Sequence, residues 1–170
     1  MIDFAFELDL APPTKTAQQK GERAVIGEDG KPFVIHYKRA EIKRIEAALC
    51  EALRPHAPPA PLAGPLGVSF ALYFPATQQN AARMKRAGVA LVRRQTKPDL
   101  DNSLKSALDC MTRERFWSDD SAVALLHAEK FETVGKPRIA VRVRELAPYP
   151  GELFEPKDRE DADAADAATN

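Results

Sequence analysis

Two short acidic runs carry the chemistry that this chain could perform. Lys97-Pro98-Asp99-Leu100-Asp101-Asn102 is followed by Lys105 and, about twenty residues after the first pair, by Phe116-Trp117-Ser118-Asp119-Asp120. Pro98 disfavours helical geometry at Lys97, so an extended lead-in to a helix is expected. In extended backbone residues i and i+2 share a side, which points Asp99 and Asp101 together and turns Leu100 inward. Two adjacent carboxylates repel unless a cation neutralises them. Mg²⁺ meets that need, because it takes hard oxygen ligands and is commonly held by one or two carboxylates together with water and substrate phosphate. Lys105 lies one helical turn after Asp101 on the same face, within reach of a phosphate or an attacking water. A third acid must come from elsewhere, and Asp119-Asp120 is the obvious source. The same residues admit a plainer role: Asp99 or Asp101 as a helix N-cap, and Asp119-Asp120 as turn formers. Spacing alone leaves both open.

The elements that must position these acids follow from periodicity. Phe4, Phe6, Leu8 and Leu10 alternate with polar residues or alanine, the signature of a strand with one buried face. Residues 11–36, with Pro12-Pro13 and several basic residues, read as a long loop with room for a short hairpin around Asp29-Gly30. Ile42, Ile45, Leu49 and Leu53 recur at helical spacing between Tyr37 and Leu53, and the proline-rich stretch 54–65 ends that helix. Val68, Phe70, Leu72 and Phe74 alternate as a second strand. Leu104, Ala107, Leu108 and Met111 mark a second helix, and strands are expected at about 123–131 and 138–146, joined through Gly135-Lys136-Pro137. The order β-α-β-α-β-β predicts an α+β domain, with a small mixed sheet of about four strands and two helices packed on it.

Composition sets the limits. A chain of 170 residues with 44% hydrophobic content suits one domain plus appendages. The domain is expected over residues 1–146, with 147–170 as an acidic, alanine-rich tail that has too little apolar surface to order itself. The formal net charge of zero conceals an asymmetry, because the tail holds seven acids against Lys157 and Arg159 and leaves the body basic. Residues 76–97 concentrate this bias, with Arg83, Lys85, Arg86, Arg93, Arg94 and Lys97 and no acid. Such a body suits a polyanion. No apolar run is long enough to span a membrane, and Met1-Ile2-Asp3-Phe4 lacks the basic start and apolar stretch of a signal peptide, so a cytoplasmic protein is expected. Cys50, Cys110, His36, His56 and His127 form no metal-ligand or redox spacing and read as structural or incidental.

The stretch KPDLDNSLKSALDCMTRERFWSDDSAV resembles the signature region of the RusA family of Holliday-junction resolvases, with its D-L-D-N-x-x-K helix entry and an aromatic-x-D-D about twenty residues on. Weaker similarity extends over Tyr73-Phe74-Pro75 and the basic segment to Lys97, the loop after the first strand, and Gly135 to Val143. In all it covers roughly residues 3–146. The chain departs from the family at Ser103, where leucine is frequent, and in the more dispersed basic residues after Pro13.

The resemblance implies a homodimeric, Mg²⁺-dependent endodeoxyribonuclease, with Mn²⁺ as a possible substitute, that resolves four-way junctions and related branched DNA by paired hydrolytic nicks in recombination and repair. It implies Asp99, Asp101 and Asp120 as metal ligands and catalytic acids, Lys105 as the catalytic lysine, and Asn102 as support for the helix start or the metal's water shell. Asp119 is assigned no definite place. Lys15, Lys20 and Arg23 of the first loop, the six basic residues of 76–97 and Asn102 are the expected DNA contacts. Phe116 and Trp117 offer a wedge for unstacked bases, though core packing is the stronger reading. A non-catalytic DNA-binding module and a nuclease of other substrate preference are the rival functions. The first is disfavoured because carboxylates facing a phosphate backbone gain nothing from binding alone.

Overall fold

The alternating sequence LGVSFALYFP forms β4 (Leu66–Pro75), which turns Leu66, Val68, Phe70, Leu72 and Phe74 to one face, each at most 3% exposed, and Ser69, Ala71 and Tyr73 to the other. In the computed structural model, which describes residues 2–15, 20–26 and 31–147, and only the backbone of Lys20, His36 and Lys38, this strand is central. β1 (Asp3–Leu8), β7 (Arg138–Glu145), β6 (Val123–Thr133) and β5 (Leu91–Arg93) complete a five-stranded sheet in the order β1-β7-β4-β6-β5. β4 and β6 run parallel, and the other pairs are antiparallel.

Two helices cover the apolar face. α1 (Ala40–Leu53) contributes Leu49, Cys50 and Leu53, and α3 (Leu100–Arg113) contributes Leu104, Ala107, Cys110 and Met111 to one cluster with β4 and with Ile139, Val141 and Val143 of β7. Both cysteines are free and buried, and burial pushes the Cys110 thiol well above its ordinary range. Phe116 and Trp117 lie at 0% and 1% exposure, with the indole N–H donating to Thr112 Oγ1 at 2.8 Å, so neither ring is available to DNA. Packing explains them, as an aromatic pair with one polar atom to satisfy would require.

The α+β class is as expected, with more elements than periodicity revealed. α2 (Gln78–Arg86) lies inside the basic segment, capped by Thr77, whose hydroxyl accepts from Asn80 N. It buries one residue, Met84, and so shows no apolar stripe. β5 is three residues long and has no alternation to read. The stretch taken as a loop forms β2 (Lys20–Ile26) and β3 (Pro32–Lys38), a separate two-stranded sheet that also claims Tyr37 and Lys38 from the expected start of α1. Gly21 leaves room for the Tyr37 ring, which would lie 2.6 Å from a Cβ at that position. The Asp29-Gly30 turn, and all of the tail beyond Ala147, lie outside the described residues.

Two contacts orient α3 across the sheet. At the starting end of β4 and β6, Leu62 N donates to Phe116 O at 2.8 Å, just after the helix ends. At the finishing end of β6, Lys130 Nζ donates to the carbonyls of Thr96 and Pro98, just before the helix begins. α3 therefore runs opposite to β6. Its length of about 21 Å matches the roughly 23 Å from Val123 to Lys130.

Candidate active site

Asp99 and Asp101 open α3. Asp99 occupies the N-cap position with extended geometry, φ −68° and ψ 148°, yet its carboxylate makes no capping bond. Its backbone carbonyl accepts instead from Ser103 N and Oγ, both at 3.2 Å. Asp101 sits in the first turn, exposed. Neither carboxylate has a hydrogen-bond or ion-pair partner among the described residues. An acid at an N-cap that leaves its capping bond unmade is available to something else. Asn102 Oδ1 is buried and likewise unpartnered. Lys105 projects from the same face as Asp101, 63% exposed, with a loose 3.6 Å contact to Asp109.

A network that sequence reading missed holds this loop. Lys130 Nζ lies 3.0 Å from Thr96 O and 2.8 Å from Pro98 O, which ties β6 to the residues just before Asp99. Two residues on, Glu132 is 3% exposed and accepts from Arg94 Nη1 at 3.1 Å and Asn80 Nδ2 at 2.7 Å. Arg94 also donates to Lys97 O at 2.7 Å and lies over the Phe74 ring. The signal was present in the pattern: Lys130 and Glu132 share a face with Ala128, which packs on the core. Charges in phase with core residues mark buried pairs.

The guanidinium of Arg94, one of the expected DNA contacts, is committed to Glu132 and to the loop carbonyl. The other basic residues divide more simply. Arg83, Lys85, Arg86 and Lys97 are exposed and free of ion pairs among the described residues, as is Arg23 on the hairpin. Arg93 pairs with Glu129 and Lys15 with Glu41, both on the surface. The Lys20 side chain and the tail lie outside the described residues. Asn102 is half-buried and less open to DNA than the basic side chains.

Asp119 and Asp120 divide the two roles proposed for them. Asp119 caps the one-turn 3-10 helix Asp120–Ala122, its carboxylate accepting from Ser121 N at 2.9 Å, and that bond lowers its pKa. Asp120 is exposed and unpartnered among the described residues. Its position is the finding that sequence did not anticipate. It precedes β6 at the starting end of the strand, whereas Asp99 and Asp101 sit at the finishing end, about one helix length away. Among the described residues no three acid, histidine or cysteine side chains gather closely enough to hold a metal. One chain does not bring its three acids together. Each nonetheless fits Mg²⁺ in kind, being an ionisable oxygen donor without a competing partner among the described residues.

Lys105 and the basic residues of α2 that have no ion pair among the described residues place positive charge at the finishing end of the sheet. The family model for endodeoxyribonuclease RusA matches residues 11–144, and the chain belongs to that family of DNA-cutting enzymes. Among its relatives, the crossover junction endodeoxyribonuclease rusA of Lactococcus phage r1t is 28% identical over 149 residues, covering 85% of this chain and 98% of the phage protein. The uncharacterised protein YqaN of Bacillus subtilis (strain 168) is 33% identical over 95 residues, covering 54% of this chain and 66% of YqaN.

Proposed function

We propose that this chain is a Mg²⁺-dependent homodimeric nuclease, able to use Mn²⁺, that resolves Holliday junctions and related branched DNA by paired hydrolytic nicks in recombination and repair. The observation that carries the reading is an acid at a helix N-cap that does not cap, beside a second acid, on a loop anchored by Lys130. Mg²⁺, held by Asp99, Asp101 and Asp120, would polarise the phosphoryl oxygen and supply a nucleophilic water. Lys105 stabilises the negative charge that develops on the phosphate. Arg83, Lys85, Arg86, Lys97 and Arg23 hold flanking phosphates, with Arg93, Lys15, Lys20 and Asn102 as further contacts. No described helix is long and apolar enough to cross a membrane, and we assign the enzyme to the cytoplasm, where its DNA is.

The dimer resolves the separation of the acids. β5 covers β6 only over Phe131–Thr133, and Arg94 N takes the carbonyl of Lys130. From Val123 to Glu129 the outer edge of β6 has no backbone partner among the described residues. Residues 121–128, SAVALLHA, carry no acid, lysine or arginine, and Leu125 and Leu126 are 38% and 45% exposed. Exposed edges are normally guarded by charge, proline or a bulge. The edge carries one such guard, a register break at Ala124 near its start, and beyond it the uncharged apolar edge suits the same edge of a second copy. Antiparallel pairing about a two-fold near Leu126 sets Val123 of the second copy opposite Glu129. Asp120 of that copy then approaches Lys130, and hence Asp99 and Asp101. Two equivalent sites result, as two nicks in a symmetric junction require.

The test uses a labelled four-way junction with Mg²⁺ or EDTA. Paired nicks are expected only with Mg²⁺, and Asp101→Asn and Asp120→Asn homodimers should bind without cutting. A co-expressed heterodimer, purified on two tags, with one variant in each subunit retains one intact site and should cut one strand. A heterodimer as dead as its parents puts all three acids in one chain. Cutting by Asp101→Asn at the wild-type rate refutes the ligand assignment.

A further inference from the structure

Between α2 and β5 lies an open cleft of ≈ 420 Å³, lined by Asn80, Arg83, Met84, Val92, Gln95 and Thr96 among others. Its volume falls within the range of about 300–1,000 Å³ usual for small-molecule sites. The walls differ in kind. Met84, Ala87, Val89 and Val92 give apolar surface, and around them stand polar groups without partners among the described residues: the Arg83 guanidinium, the Gln95 amide and Asn80 Oδ1. Asn80 is held by its own Nδ2 bond to Glu132, so its carbonyl oxygen has a fixed direction. Apolar walls edged by donors and acceptors, one of them held in place at Asn80, suit a planar heteroaromatic ring.

The charges of the lining are largely paired. Glu132 in the lining is balanced by Arg94 and Arg93 by Glu129, which leaves Arg83 as the cation of the lining without an ion-pair partner among the described residues, placed to meet a phosphate that flanks a bound ring. Lys85 and Arg86 stand on the same helix as Arg83, so the phosphates on either side of a base have further cations to meet. The cleft also adjoins the acid-bearing loop. Thr96 is part of its wall, and the carbonyls of Thr96 and Pro98 share one Lys130 ammonium, at 3.0 and 2.8 Å. Asp99 is the next residue.

We infer that this cleft takes one unstacked nucleobase of the strand being cut, within a few nucleotides of the scissile phosphate. This rests on the nuclease reading above and adds to it a site that reads a base. Bases at a branch point cost less to unstack than those inside a continuous duplex, which favours branched substrates. Met84 and Val92 would bear on the ring faces, while Asn80 Oδ1 and Gln95 meet its edge. Cleavage-site preference would then originate here and not at the acids.

Single abasic nucleotides placed within about three positions of the cut, and 2-aminopurine at the same positions, test this with the full-length dimer. One abasic position should lower wild-type cleavage roughly ten-fold, the scale of one lost stacking partner, with junction binding unchanged. Exposed Gln95→Ala should lower cleavage of the intact strand and lose that sensitivity. In EDTA, 2-aminopurine at that position should brighten when wild-type protein binds. Uniform abasic responses within two-fold together with unchanged fluorescence overturn the inference, as does a Gln95→Ala enzyme that stays fully sensitive. A wild-type protein that brightens the probe but never cuts with Mg²⁺ supports the cleft and defeats the nuclease reading.

Discussion

The two ends of β6 treat their acids differently. At the finishing end, Lys130, Glu132, Arg94 and Asn80 form a part-buried network whose donors end on the carbonyls of residues 96–98, so Asp99 and Asp101 stand on a fixed base. At the starting end, Asp120 is carried by one exposed 3-10 turn, held by the Asp119 carboxylate. A rigid pair and a lightly tethered single acid are what an interface assembled from two copies calls for. In the proposed dimer the pair would set the geometry, and the third acid would arrive with the neighbour. Preorganisation is invested where the chain can supply it alone.

The largest effect should come from breaking the network at its centre. Glu132→Ala leaves the Arg94 guanidinium without its carboxylate at a site where the two side chains are 12% and 5% exposed. A loss of about 3–5 kcal/mol is expected by urea unfolding, because an uncompensated charge is left buried. A loss below about 1 kcal/mol would mean that the finishing end is no firmer than the starting end.

Lys130→Met should separate position from stability. It removes two bonds to the loop but keeps the apolar stem, so stability should fall by only about 1–3 kcal/mol. Junction cleavage should fall roughly 10²-fold through misplacement of Asp99 and Asp101, with binding nearly unchanged. Equal loss of binding and cleavage would assign the lysine to DNA contact.

The smallest effect belongs to Asp119. Its folded pKa lies below the ordinary 3.8 because its carboxylate accepts from Ser121. The stabilisation is therefore complete above the unfolded value and is lost as pH falls through the lower folded value. Asp119→Ala should be slightly less stable than wild type at neutral pH, and in acid-unfolding curves the difference should shrink as pH falls below 3.8 and vanish below the folded value. A gap that persists at the acid extreme would attribute the loss to something other than this carboxylate.

Much was legible in the residues themselves. The alternation of β4 and β7, the stripe of α3 and the burial of Cys50 and Cys110 follow from side-chain period and hydrophobicity. Two acids flanking a leucine after a proline were sufficient to locate the start of α3. α2 escaped because a helix that buries only Met84 leaves no stripe, and the hairpin because apolar residues exposed on both faces imitate no period. Arg94 could not be told from Arg93 by type or neighbourhood. Only the strand on which Glu132 lies made one a buried partner and the other a surface charge.

By itself the sequence determined which groups are available: three aspartates, a lysine one turn on and a basic segment. Tertiary structure decided where they stand. Because β6 runs parallel to β4 while α3 runs back across them, the chain delivers Asp120 to the opposite end of the sheet from Asp99 and Asp101. Separation along a chain carries no sign of strand direction, since that is set by which edge remains open when the core closes.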